Sequence, residues 1–198
     1  MFGLIPIECN TKSILPPSTS IDFEKRLLRS CSEVASAGIE TVALITGKGK
    51  SQIIDHFDIY AELEEKLHKE GKDDLLLALR SASNLVNFVA IRQGIPRGLG
   101  HAVLTAKDVI GDEPFVVLLG DDMVDSEVPC TKQMMDVYEK YGKSVVALME
   151  VSDEDVPKFG ICGGNEIAPG VLDLNVMVEK PKLKGNEILI RVKATALN

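Results

Sequence analysis

The feature that most constrains this chain is a pair of short, almost wholly apolar runs, each followed by a glycine. Residues 41–46 read Thr-Val-Ala-Leu-Ile-Thr, and residues 114–119 read Pro-Phe-Val-Val-Leu-Leu. A strand with apolar side chains on both faces is typical of a parallel sheet that is covered by helices on each side. The second run is the clearest buried strand in the sequence.

Helical patterns alternate with these strands. After a loop at residues 16–20, a capping-box sequence and apolar side chains at helical spacing predict a helix that ends at Gly38. Apolar residues from 53 to 67 predict one continuous helix that is capped at Gly71, and residues 87–91 predict another strand. The alternation predicts an α/β sandwich with a mostly parallel central sheet, formed by one domain over residues 1–198.

The composition excludes several classes of protein. The chain of 198 residues carries 22 basic and 30 acidic residues, a net charge of −8. Proteins that bind nucleic-acid backbones usually carry a basic excess, so we predict no nucleic-acid partner. No apolar stretch approaches membrane-spanning length, and the opening residues lack a signal-peptide pattern. Four scattered cysteines without a Cys-x-x-Cys pair predict neither a zinc site nor a redox dithiol, and they fit a cytoplasmic location.

A glycine-rich segment, here called the glycine loop (residues 92–100), follows the predicted strand at residues 87–91. Glycines at 94, 98 and 100 let backbone N–H groups approach a base or a phosphate closely. The amide of Gln93 both donates and accepts hydrogen bonds, which matches the edge of a pyrimidine such as uracil. A strand–helix turn that needs left-handed backbone explains the same glycines, and the spacing alone favours that simpler interpretation.

Two further segments carry charged groups at the ends of strands. Asp121 and Asp122 follow the second apolar run, where their hard oxygen ligands could hold Mg²⁺ against nucleotide phosphates. A solvated turn is an equally good interpretation, because aspartate is favoured in turns. Glu179 and Lys180 end a predicted strand, where they could bind sugar hydroxyls and a phosphate. A surface ion pair at a strand end is the simpler interpretation of that second pair.

Taken together, these motifs resemble a known family. In order along the chain they are Ala37-Gly38-Ile39, Thr46-Gly47-Lys48-Gly49-Lys50, Asp55-His56-Phe57-Asp58, Arg92-Gln93-Gly94, Gly98-Leu99-Gly100-His101-Ala102, Gly111-Asp112-Glu113-Pro114, Leu119-Gly120-Asp121-Asp122 and Val178-Glu179-Lys180-Pro181. The series is similar to the bacterial UTP–glucose-1-phosphate uridylyltransferases of the sugar-phosphate nucleotidyltransferase superfamily. An ordered series is far more specific than any one of its members.

The resemblance implies a Rossmann-like α/β/α sandwich and a Mg²⁺-dependent reaction of UTP with glucose 1-phosphate, which gives UDP-glucose and pyrophosphate. It implies that the nucleotide is bound by Gln93, Gly98, Gly100 and Asp122, and Mg²⁺ by Asp121. The implied sugar-binding residues are Gly160, Glu179 and Lys180, of which Lys180 binds the sugar phosphate and is the expected catalytic residue.

Two regions depart from the family pattern. The family's first strand leads into a Gly-x-Gly-Thr-Arg loop that wraps the triphosphate; here residues 4–7 resemble the strand, but those glycines and the arginine are missing. After Pro181 the sequence leaves the pattern, where family members continue with more sugar-site residues and helices used in oligomerisation, so the phosphate loop and C-terminal part are expected to be incomplete.

Three hypotheses follow from the resemblance and its departures. The first is an active uridylyltransferase that binds UTP and glucose 1-phosphate. It could form a homo-oligomer, and no membrane partner is expected. The second is a catalytically impaired homologue that binds a nucleotide or nucleotide sugar, or acts as a scaffold. The third is a related transferase for another base or sugar.

Overall fold

The structure is a computed structural model that describes residues 1–6, 17–50, 54–55, 57–58, 61–74, 80, 85–120, 124–181 and 195–197. The chain divides into two compact units, Met1–Pro129 and Cys130–Asn198, which are described separately. The expectation of one nucleotidyltransferase-like domain over residues 1–198 stays a prediction. No helix in the described ranges has the length and apolar character to cross a membrane.

The first unit is built on a four-stranded sheet in the order β3-β2-β1-β4, and each of its three strand pairs is parallel. Its strands are β1 (Phe2–Pro6), β2 (Thr41–Thr46), β3 (Asn87–Arg92) and β4 (Phe115–Val117). The helices whose bounds lie within its described residues are α1 (Pro17–Ser36), α2 (Ala61–Lys69), α3 (Leu99–Thr105) and α4 (Lys107–Ile110). The predicted α/β class with a parallel sheet is confirmed.

Strand β2 forms the centre of the first core. Every residue of β2 after Thr41 is buried, as its unbroken apolar sequence predicts for a strand covered on both faces. On one face Ala43 and Ile45 pack against α3 and α4, in a cluster completed by Ala102, Ala106 and Ile110. This packing anchors the helices that follow the glycine loop onto the sheet.

Helix α1 ends as predicted but begins earlier. Gly38 adopts a φ of +89°, and Ile39 N–H donates to the carbonyl of Val34 at 3.0 Å, which is the Schellman arrangement of a helix end. The prediction of a loop at residues 16–20 is wrong from Pro17 onward, where the helix starts. A proline is well accommodated in a first helical turn, because its missing N–H would have no partner there anyway.

The apolar run at residues 114–119 is not the buried strand that its sequence predicts. Strand β4 covers only Phe115–Val117, and its Phe115 and Val117 are 44% and 37% exposed. Among the strands that the structure describes, β4 pairs with β1 alone, so it occupies an edge. Since an edge strand has a neighbour on one side only, apolar composition did not guarantee its burial.

The continuous helix predicted from residue 53 to residue 67 is also wrong. The chain turns at Phe57 and Asp58, where Phe57 N–H donates to the carbonyl of Ile54 at 2.9 Å, and α2 begins at Ala61. The buried ring of Phe57 lies 4.3 Å from the ring of Phe88 on β3, centroid to centroid. A ring contact with the sheet thus accompanies the break in helical backbone. The predicted cap at Gly71 is confirmed by its φ of +67°.

The second unit holds a second four-stranded sheet in the order β5-β8-β7-β6. Its elements are α5 (Cys130–Tyr141), β5 (Ser144–Val146), a 3-10 turn (Val156–Lys158), β6 (Gly160–Ala168), β7 (Val171–Glu179) and β8 (Thr195–Leu197). Strands β6 and β7 form an antiparallel hairpin, which aligns Gly160 at the start of one strand with Glu179 at the end of the other.

Candidate functional site

The glycine loop begins at the carboxyl ends of the parallel strands in the first unit. Gln93 follows β3 directly, and its backbone N–H donates to the carbonyl of Thr46, the last residue of β2, at 2.8 Å. Ligands of open parallel sheets bind beyond the carboxyl ends of the strands. The loop therefore starts at the end of the sheet where a ligand is expected.

The three glycines of the loop differ in their backbone requirements. Gly98, just before α3, has a φ of +90°, so the turn itself needs a glycine at this position. Gly94 and Gly100 are not among the glycines with positive φ, and an added Cβ at either of them would meet no atom within 4 Å. The simple turn interpretation thus accounts for one glycine, while the other two leave open space beside the backbone.

The side chain of Gln93 is held from two sides. Its amide nitrogen Nε2 lies 3.4 Å from the carbonyl oxygen of Gly98 and 2.7 Å from Nδ1 of His101. Two of the predicted nucleotide residues, Gln93 and Gly98, are therefore in contact, and Gly100 follows in the first turn of α3. His101 was missing from the predicted site residues, and its place directly after Gly98-Leu99-Gly100 was the only available signal.

A buried hydroxyl lies at the same end of the sheet. The Oγ1 atom of Thr46 is enclosed and has no hydrogen-bond partner among the described residues. Buried polar atoms are nearly always paired, so an unpaired one leaves hydrogen-bonding capacity at this end of β2. Sequence reasoning did not single out Thr46 as a site residue.

The predicted sugar-binding residues come together in the second unit. Gly160 pairs with Glu179 across the β6–β7 hairpin, and Lys180 N–H donates to the carbonyl of Phe159 at 3.1 Å. The ammonium of Lys180 lies 3.3 Å from Oε1 of Glu179, and these side chains are 61% and 73% exposed. A Cβ at Gly160 would lie 3.2 Å from Oε2 of Glu179, so the glycine leaves room for that carboxylate.

Lys180 is held in an uncommon backbone conformation. Its φ of +44° is the only positive φ at a residue other than glycine in the described part of the chain. Such a conformation costs on the order of 1–3 kcal/mol and recurs at functional sites, where the surrounding structure enforces it. The backbone bond to Phe159 fixes the peptide of Lys180 in place.

The two predicted metal and nucleotide aspartates, Asp121 and Asp122, lie outside the described residues. Within the described ranges, no group of three or more His, Cys, Asp or Glu side chains is arranged to hold a metal ion. The role of both aspartates therefore stays a prediction.

The buried cysteines are packing residues rather than nucleophiles. Burial raises the pKa of the Cys31 thiol to about 12 and raises the pKa of Cys162 as well. Both thiols are therefore kept neutral, whereas thiol chemistry requires the thiolate.

Comparison with known proteins identifies relatives of this chain. It is 49% identical over 149 residues to a UTP–glucose-1-phosphate uridylyltransferase of Bacillus subtilis, a match that covers 75% of this chain and 50% of that protein. It superposes with a TM-score of 0.80 and 30% identity on a UTP-bound UGPase from Acinetobacter baumannii, covering 98% of this chain and 72% of that one. A UDP-glucose pyrophosphorylase complexed with UDP-glucose gives a TM-score of 0.79 at 30% identity, covering 98% of this chain and 74% of the other.

The chain spans about half the length of the uridylyltransferases that it matches in sequence. The family model described as nucleotidyl transferase matches residues 4–191, nearly the whole chain. Together with the parallel sheet and the superpositions, this match shows that the chain belongs to the nucleotidyl transferase family.

Proposed function

We propose that this chain carries the nucleotide-binding and sugar-phosphate-binding groups of a UTP–glucose-1-phosphate uridylyltransferase. The observation that carries the proposal is the Gln93 amide, which is fixed beside Gly98 at the carboxyl end of β3. The Bacillus subtilis relative bears the name of this activity, and a solved relative is a UTP-bound UGPase.

The glycine loop offers the features that a pyrimidine base requires. An amide oxygen can accept a hydrogen bond from the polar edge of uracil, and backbone N–H groups can add further bonds where no side chain blocks approach. Gly94 and Gly100 leave such space, since an added Cβ would meet nothing there. Gln93 and Gly98 would therefore bind the uracil, with Gly100 close to the nucleotide.

The second unit supplies the groups for the sugar phosphate. The carboxylate of Glu179 can accept hydrogen bonds from glucose hydroxyls, and Gly160 leaves room beside it. The exposed ammonium of Lys180, already paired with Glu179, can donate to the phosphate of glucose 1-phosphate.

The chemistry asks mainly for positioning and charge neutralisation. A phosphate oxygen of glucose 1-phosphate forms a bond to the α-phosphorus of UTP, and the bond from that phosphorus to the pyrophosphate oxygen breaks. Because two polyanions must meet, a positive charge such as that of Lys180 lowers the barrier. Asp121, with the hard oxygen ligands that Mg²⁺ prefers, is the residue we propose to hold Mg²⁺, which would neutralise phosphate charge when bound.

Pyrophosphate release from UTP and glucose 1-phosphate in the presence of MgCl₂ tests the proposal. We expect turnover with UTP, and a loss on the order of 100-fold or more in kcat/KM for Lys180→Ala. Lys132→Ala is the matched control, because Lys132 is also an exposed lysine paired with a carboxylate, that of Asp136. Equal activity of the two variants, or no pyrophosphate above the buffer control with wild type, would contradict the proposed activity.

A second candidate function is binding without turnover. It is favoured by the sequence after residues 4–7, which lacks the glycines and arginine of the family's triphosphate loop. Calorimetry with UTP and UDP-glucose separates the candidates, since binding without pyrophosphate release supports this second function. A cytoplasmic location and self-association accompany both candidates as proposals.

A further inference from the structure

The orientation of the Gln93 amide is fixed by the atoms around it, and the inference that follows rests on the proposed binding of UTP. A backbone carbonyl oxygen can only accept a hydrogen bond. The amide atom of Gln93 that lies 3.4 Å from the Gly98 carbonyl oxygen is the nitrogen, Nε2, which can donate to it across this long contact. The amide oxygen, Oε1, consequently points away from that carbonyl.

The second hydrogen of the same nitrogen determines the state of His101. Nε2 of Gln93 lies 2.7 Å from Nδ1 of His101, and an amide nitrogen only donates. In this orientation Nδ1 carries the accepting lone pair, which places the imidazole proton on the other ring nitrogen. With the amide flipped, Oε1 would accept from a protonated Nδ1 and the bond to Gly98 would be lost, so the two orientations differ in where the imidazole proton lies.

With both hydrogens of Nε2 engaged, Oε1 is the only polar atom of the amide left for a ligand. No contact to Oε1 is found among the residues that the structure describes. We propose that His101 is a positioning residue for base recognition, which holds Oε1 of Gln93 outward as an acceptor for the ring N3–H of uracil. The chemistry so recognised is a pyrimidine with a protonated N3.

His101 is well placed to act as a rigid support. It lies in α3, where the adjacent Ala102 is buried in the core cluster with β2. The hydroxyl of Thr105, one turn later, donates to the backbone carbonyl of His101 at 2.8 Å. The imidazole is therefore carried by a helix that is anchored to the sheet. Without the imidazole, the Gln93 amide would keep only the long contact to the carbonyl of Gly98.

A double-mutant cycle on UTP affinity tests whether His101 acts through Gln93. We expect His101→Leu to raise the Kd for UTP about 3- to 10-fold, the size of one ordinary hydrogen bond. In a Gln93→Ala background the same change should have no further effect. His101→Asn should restore affinity, because its Oδ1 offers an acceptor near the place of Nδ1, and His68→Leu, at a histidine whose side chain is 77% exposed, is the matched control.

A ligand-independent measurement separates this inference from the proposed function. Nitrogen-15 NMR of the free protein distinguishes a protonated from an unprotonated Nδ1, and comparison with His101→Asn assigns the signal. We expect an unprotonated Nδ1 at neutral pH. A proton on Nδ1, or independent effects of the His101 and Gln93 changes on UTP affinity, would overturn the inference. If wild type binds no UTP, the proposed function fails, whereas the NMR result still decides the protonation of Nδ1.

Discussion

Replacement by alanine should have different consequences at two glycines of β6: a loss of stability at Gly164 and a higher KM at Gly160. A Cβ at Gly164 would lie 2.8 Å from the carbonyl carbon of Asp173 and 2.9 Å from Cα of Leu174, both in the backbone of β7. The carbonyl oxygen of Asp173 would lie nearer still, and non-bonded heavy atoms pack at about 3.5 Å, so Gly164→Ala requires a strand displacement of roughly 1 Å or more. We expect overpacking of this kind to cost about 1–3 kcal/mol.

At Gly160 the added methyl meets a side chain instead. Its neighbour is Oε2 of Glu179 at 3.2 Å, at the end of a flexible chain that is 73% exposed and can rotate away. Gly160→Ala should therefore change stability by less than about 0.5 kcal/mol. Because the carboxylate proposed to bind glucose hydroxyls must move, the KM for glucose 1-phosphate should rise about 3- to 10-fold.

Thermal denaturation of both variants, together with KM for glucose 1-phosphate, checks this pair of expectations. At roughly 2–4 °C per kcal/mol for a chain of this size, Gly164→Ala should lower the Tm by about 2–12 °C. Gly160→Ala should leave the Tm within about 2 °C of wild type. Equal Tm values for the two variants would refute the reasoning, as would an unchanged KM for Gly160→Ala.

Three further expectations follow from single residues. Burial raises the pKa of Cys31 to about 12, so its thiol should react with a disulfide reagent at pH 8 at least about 100-fold more slowly in the native protein than in urea. Mass spectrometry can quantify the two rates, and equal rates would contradict its burial. Lys180→Gly should be more stable than Lys180→Ala by about 1 kcal/mol in urea denaturation, because only glycine adopts a φ of +44° without strain. Both variants lack the ammonium and should lose activity alike, and the reverse order of stability would contradict the strain. Gly38→Ala should cost about 1–2 kcal/mol in the same assay because alanine is strained at a φ of +89°, and a neutral result would argue against the Schellman end of α1.

The sequence predicts those parts of the fold in which local pattern and tertiary position agree. The unbroken apolar run of β2 lies in the interior of a sheet, so its composition and its burial coincide. The run around β4 has the same character but occupies a sheet edge, a property that depends on which strands pair and not on the run itself. The break at Phe57 likewise accompanies a contact with Phe88, thirty-one residues away in the sequence.

The candidate site shows the same division. The glycine loop could be selected from the sequence because Gln93 follows a predicted strand and glycines follow Gln93. The role of His101 could not, because its place in the motif does not indicate a contact with Gln93, which exists only once the loop folds back over eight residues. Gly160 and Glu179 are separated widely in the chain and meet only through the register of the β6–β7 hairpin.

A crystal structure of the protein grown with UTP and MgCl₂ tests the central claim most directly. We expect the uracil ring to lie against the glycine loop, with N3 within hydrogen-bond distance of Oε1 of Gln93 and a backbone N–H of the loop bonded to a ring carbonyl. A base bound elsewhere in the molecule, with Gln93 still facing solvent, would contradict it.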